Sequence, residues 1–171
     1  MLKFEEYRQH TEELFAAALA AAEPGYAVSQ YLQRNGRFLQ IGDAELEIGQ
    51  RRVFLVRAGK AALPMAEAAN EILGDALFAA AVISKRGGQE TQNSPLNTFP
   101  NVQLMAGSHP VSGEDSVQST AQVIELLGQT TEDDLVIFLI SGGASALLTQ
   151  PAISLADWQI LIQALLASGC T

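Results

Sequence analysis

The chain has 171 residues, with 10 Lys plus Arg against 19 Asp plus Glu and a formal net charge of −9. Its 48% apolar and 17% charged residues supply enough core material for one self-sufficient domain, which excludes a disordered acidic tail. The acidic balance excludes a general nucleic-acid surface, the single Cys170 excludes a disulfide framework or multi-cysteine metal site, and no apolar run reaches the roughly 20 residues of a membrane span.

The charged start MLKFEEYRQHTEELF has neither a signal-peptide nor a transit-peptide pattern, so a soluble, cytoplasmic domain is expected. Phe4, Tyr7, Leu14, Phe15, Ala18 and Leu19 recur at helical spacing and predict an amphipathic helix. Pro24 suits the first turn of a second helix that ends before the Asn35-Gly36 turn. Phe38–Ile41 and Glu45–Ile48 predict a small hairpin across Gly42-Asp43.

From Arg51 onward, short apolar runs alternate with helical stretches. Val53–Val56 precedes a helix over Ala61–Leu73, and Ala80–Ile83 ends at Ser84-Lys85-Arg86-Gly87-Gly88. A polar, Pro/Asn-rich loop, Gln89–Pro100, leads to Val102–Met105 and then Ala106-Gly107-Ser108-His109-Pro110. Ser112 and Asp115 have capping-box spacing for a helix through Leu127. Leu135–Ile140 runs into Ser141-Gly142-Gly143-Ala144-Ser145, and Ser154 with Asp157 repeats the box for a last helix through Ala167. Continuous apolar strands separated by helices predict a three-layer, doubly wound α/β domain with a mainly parallel sheet, Rossmann-like in architecture, over 1–171.

Ligands of such sheets bind beyond the carboxyl ends of the strands. Gly59 permits a tight turn there, and Lys60 stands where the next helix begins. The helix dipole disfavours a cation at that place by about 0.3–1 kcal/mol unless an anion sits between it and the free amides. Ser141, Gly142, Gly143 and Ser145 make a small-residue turn whose amides and hydroxyls suit a phosphate or carboxylate. Lys85 and His109 add a cation and a titratable donor at neighbouring strand ends. The turn is neither a Walker loop nor a dinucleotide fingerprint. Gly143-Ala144-Ser145-Ala146-Leu147 misses the last glycine of a hydrolase elbow, and His109 precedes Ser145, against the hydrolase order. Two His residues leave no metal-site motif.

The motifs Arg57-Ala58-Gly59-Lys60-Ala61-Ala62-Leu63-Pro64-Met65, Lys85-Arg86-Gly87, Gly107-Ser108-His109-Pro110 and Ile140-Ser141-Gly142-Gly143-Ala144-Ser145 stand in one order. Together they resemble the N-terminal domain of the two-domain glycerate 2-kinases, some of which are called hydroxypyruvate reductases. The resemblance implies transfer of the γ-phosphoryl of ATP to the 2-hydroxyl of D-glycerate with Mg²⁺, in a cleft facing a second domain. By it, Lys60 is the catalytic lysine; Gly59, Lys85, His109, Ser141, Gly142, Gly143 and Ser145 bind substrate or phosphate. Arg57 and Ala144 replace two motif glycines. The family's C-terminal part is absent, so the fragment alone is expected to be inactive, with the missing domain as its partner. Residues 87–171 contain eight acids and no Lys or Arg, which fits either a solvated acidic surface or cations supplied by that partner. The other function class left open is a non-catalytic module that binds an anion or sugar acid.

Overall fold

The computed structural model describes residues 4–87 and 94–169. Four parallel strands form the central sheet: β4 (Val53–Ala58), β5 (Leu77–Lys85), β6 (Val102–Gly107) and β7 (Leu135–Ile140), in spatial order β6-β5-β4-β7. Successive crossovers from β4 step through β5 to β6, and the chain then returns to place β7 on the other side of β4. The direction of winding therefore reverses between β4 and β7, which makes the gap beyond their ends the topological switch point.

The sheet is covered on both faces because β4 is apolar on both. Val53 and Leu55 pack with Ala69 and Leu73 of helix α3 (Ala62–Leu73) and with Val28, Leu32 and Leu39. Phe54, Val56 and Ala58 pack with Val123 and Leu126 of α4 (Glu114–Leu127) and Leu147 of the short α5 (Ala144–Leu147). Helix α2 (Pro24–Tyr31) begins at Pro24, and the Glu23 carboxylate caps it by accepting from the Gly25 and Tyr26 amides. The Arg52 guanidinium grips Asp134 at 2.9 and 2.6 Å, joining the segments that enter β4 and β7.

Two expectations need correction. The second helix stops at Tyr31, and Leu32–Asn35 forms β1, which pairs antiparallel with β2 (Phe38–Ile41) and makes the hairpin with β3 (Ala44–Glu47) three-stranded. The Ser112–Asp115 capping box does not form: Gly113 is the N-cap, and the buried Ser112 serves the last helix instead, accepting from Trp158 Nε1 and Gln159 Nε2. Asp115 is drawn to Ser108 and Arg86. The second box, Ser154 with Asp157, caps α6 (Leu155–Ser168) as expected. The first amphipathic helix forms as α1 (Phe4–Ala21); none of its residues is buried, and α6 shares that property. Of the expected Gln89–Pro100 loop, the described part holds a 3₁₀ turn at Pro95–Thr98; 89–93, like Gly88 and Cys170, lie outside the described residues.

Candidate functional site at the switch point

The turns after β4 and β7 are stitched to each other. Ser141 N donates to Ala58 O at 3.1 Å, Lys60 N donates to Gly142 O at 3.0 Å, and Ala61 N donates to Ser141 Oγ at 3.2 Å. So close an approach requires glycine at position 59. Its φ is +134°, and a Cβ there would lie 2.1 Å from Ser141 Oγ. Gly143 is a second such point: at φ +87°, a Cβ would stand 2.9 Å from His109 Nε2 and 3.4 Å from Lys60 Cε. Lys60 and His109 therefore converge over the hydrogen atoms of Gly143.

Register explains why residues so distant in sequence meet. Ala58 lies opposite Ile83 and Ile140, and Lys85 lies opposite Gly107. Every strand thus ends on the same edge, which brings Gly59, Lys60, Lys85, His109 and Ser141–Ser145 together. The His109–Pro110 peptide bond is cis. His109 lines two recesses. One, of about 470 Å³, adds Gly143, Ser145, Pro110, Trp158 and Ile162; the other, of about 260 Å³, adds Lys85, Ser108 and Val111. Lys85 thus sits across His109 from the Lys60 turn, and Ser145 faces the larger recess from α5.

The electrostatics of this edge are one-sided. Partial burial lowers the His109 pKa from its ordinary value, and the positive charges of Lys60 and Lys85 lower it further. Among the described residues no carboxylate pairs with Lys60 or Lys85, whereas Arg86 is tied to Asp115 at 2.9 Å. The amides of Gly142 and Gly143 donate to no described residue. An anion seated over Gly143 would meet the Lys60 ammonium, two amides without described partners and the His109 imidazole, with Lys85 on the far side of the ring.

Trp158 and Ile162, which form the apolar wall of the larger recess, were not legible as site residues, because their helical pattern reads equally as core. The Ser108–Asp115–Arg86 network is hidden in the sequence because Asp115 stands at capping-box spacing from Ser112. Among the described residues no group of three or more His, Cys, Asp or Glu comes together to hold a metal ion, and no helix is long and apolar enough to cross a membrane.

Residues 10–171 match the family described as "Domain of unknown function (DUF4147)". The chain belongs to this family, the N-terminal domain of the glycerate 2-kinases. Its relatives include a D-glycerate 2-kinase of Thermotoga maritima, 41% identical over 122 residues that cover 70% of this chain and 28% of that one. Among solved structures, a Pyrococcus horikoshii OT3 protein superposes with a TM-score of 0.79 at 29% identity, covering all of this chain and 37% of that one. The Thermotoga maritima glycerate kinase superposes with a TM-score of 0.73 at 32% identity, covering 98% and 36%. The DUF4147 chain described here thus spans about a third of the length of these relatives.

Proposed function

We propose that this chain forms one wall of a D-glycerate 2-kinase site, and that Lys60 is its phosphoryl-stabilising cation. In the reaction, the 2-hydroxyl oxygen of D-glycerate bonds to the γ-phosphorus of ATP, the bond to the β–γ bridging oxygen breaks, and ADP leaves. The hydroxyl proton is lost to a base. Phosphoryl transfer depends on positioning and on cations gathered round the transferring group. The observation that carries the reading is the Lys60 side chain, without a carboxylate partner among the described residues, converging with His109 over Gly143 at the switch point of a kinase-family fold.

The roles follow from that geometry. Lys60 offsets charge on the phosphoryl oxygens, and the Gly142 and Gly143 amides hold them in place. His109 donates to or accepts from an oxygen of either substrate, and Lys85 and Ser145 extend the polar lining into the two recesses. Mg²⁺ in kinases is held largely by the substrate phosphates with one or two carboxylates. The described residues of this wall build no cage for it. The facing wall belongs, on this reading, to the two thirds of the relatives that this chain does not span.

A coupled ADP-release assay with D-glycerate, ATP and Mg²⁺ tests the reading. The chain alone is expected to show no glycerate-dependent turnover. Joined to a polypeptide equivalent to the remaining two thirds, it is expected to turn over, and Lys60→Ala to lower that rate by about 10²–10³. Turnover by the 171 residues alone that Lys60→Ala abolishes would place a complete site in this chain. An unchanged rate in the joined Lys60→Ala variant would remove Lys60 from the chemistry, and anion binding without any turnover would leave a non-catalytic module.

A further inference from the structure

Among the described residues Arg57 is the largest fully buried side chain. It extends from β4 on the face that Val53 and Leu55 share with α3, where an apolar residue would continue the pattern. Its guanidinium donates to Ala58 O at 3.0 Å and Ala61 O at 2.9 Å, and also to Leu139 O; Met65 Sδ closes the cage. Its Nε has no partner. Among the described residues no carboxylate neutralises it. Burial lowers the group to about 10, so it remains charged at neutral pH.

The position of its acceptors is informative. Ala58 ends β4, Leu139 lies near the end of β7, and Ala61 precedes α3. These are the three segments that carry Gly59-Lys60 and the Ser141–Gly143 turn. The guanidinium therefore lies directly beneath the place where the two turns are stitched together. Carbonyl dipoles offset part of the cost of burying the charge but do not cancel it, and buried charges of this kind are usually paired. An anion in the cleft above would be the missing counter-charge.

We propose that Arg57 is a positioning residue for the anion site: a fixed positive charge under the Lys60–Gly142 crossing that both ties the two turns in place and makes the site selective for an anionic ligand. The proposal rests on the anion-binding reading of the switch point. It separates two roles that a structural arginine would combine. Replacing Arg57 by an apolar side chain removes a buried charge that no carboxylate offsets, but it also leaves the Ala58, Ala61 and Leu139 carbonyls without their donor. The two effects oppose each other, so Arg57→Met is expected to remain folded, with a melting temperature within a few degrees of wild type, while weakening phosphate binding. A buried unit charge near an anion, at an effective dielectric of about 20, is worth on the order of tenfold in affinity. Arg57→Lys keeps the charge and is expected to recover most of the loss.

The experiment measures inorganic phosphate affinity by calorimetry, and unliganded melting temperature, for wild type, Arg57→Met, Arg57→Lys and Lys60→Ala. A stable Arg57→Met with about tenfold weaker binding, rescued in Arg57→Lys, is the expected result. Undiminished phosphate affinity in Arg57→Met overturns the proposal, and if Lys60→Ala still loses binding, the anion reading stands without Arg57. Parallel loss of stability and affinity in both Arg57 variants shows a purely structural arginine and overturns it as well. A wild type that does not bind phosphate overturns the anion reading and this proposal together.

Discussion

Strands β4 and β7 are both six-residue runs, apolar but for Arg57, with opposite surroundings. All six residues of Val53–Ala58 are buried, whereas in Leu135–Ile140 only Ile137 is, and Phe138 and Ile140 are about half exposed, at 49% and 55%. The difference is position: β4 has a hydrogen-bonded strand on each side and helices on both faces, while β7 has β4 on one side only. Apolar content therefore records what a strand can bury, and neighbours decide what it does bury. The site lies at the seam between the two, so its rigidity comes from β4 and its openness from β7.

Truncation in each strand sharpens that contrast. Leu55→Ala on β4 is expected to cost about 2–5 kcal/mol, the range for a buried leucine whose cavity cannot collapse, measured by denaturant unfolding. A cost below about 1 kcal/mol would show a softer centre than the packing implies. The ion pair joining the entries of the two strands has an intermediate, pH-dependent effect. Arg52, and the Thr131 amide and hydroxyl, hold the Asp134 carboxyl well below the usual aspartate range. Because the folded group is more acidic than the unfolded one, its contribution is present above the ordinary aspartate pKa and is lost as pH falls through and below it. Asp134→Asn is expected to flatten the acid limb of the stability curve in that window and leave its alkaline limb alone; an unchanged acid limb would show that the pair does not couple the strands. The smallest effect is expected at the edge. Ile140→Ser should change stability by no more than about 0.5 kcal/mol, as for other exposed positions. A large loss there would mean that β7 is covered in solution.

The same contrast marks what could be read from sequence. The four parallel strands were legible because runs such as Leu135–Ile140 are too short and too apolar to be anything else. The glycine-rich turns after them were legible because positive φ and close backbone approach leave few residue choices. Gly59 and Gly143 are the cases in point, at +134° and +87°. β1 was not legible, since Leu32–Asn35 has four residues and follows a helix without a stop signal. Ser112 looked like a cap until Trp158 and Gln159, 46 and 47 residues on, claimed its oxygens. Amphipathicity in α1 said which face is apolar and nothing about whether a neighbour covers it. The burial of Arg57 was invisible for the opposite reason: a charge at a strand end reads as a surface group, and only the packing of Ala61 and Met65 over it shows otherwise.

The central claim is that an anion seats between Lys60, His109 and the Gly142–Gly143 turn. The most direct measurement is a titration of inorganic phosphate into isotope-labelled protein, following backbone amides and the His109 ring by NMR across pH. The account predicts that the Lys60, Gly142 and Gly143 amide signals move together on one binding curve. It also predicts that the depressed pKa of His109 rises as phosphate offsets the charges of Lys60 and Lys85, so that binding tightens as pH falls through the histidine range. Shifts confined to other parts of the surface, or a His109 titration that saturating phosphate leaves unmoved, would contradict it.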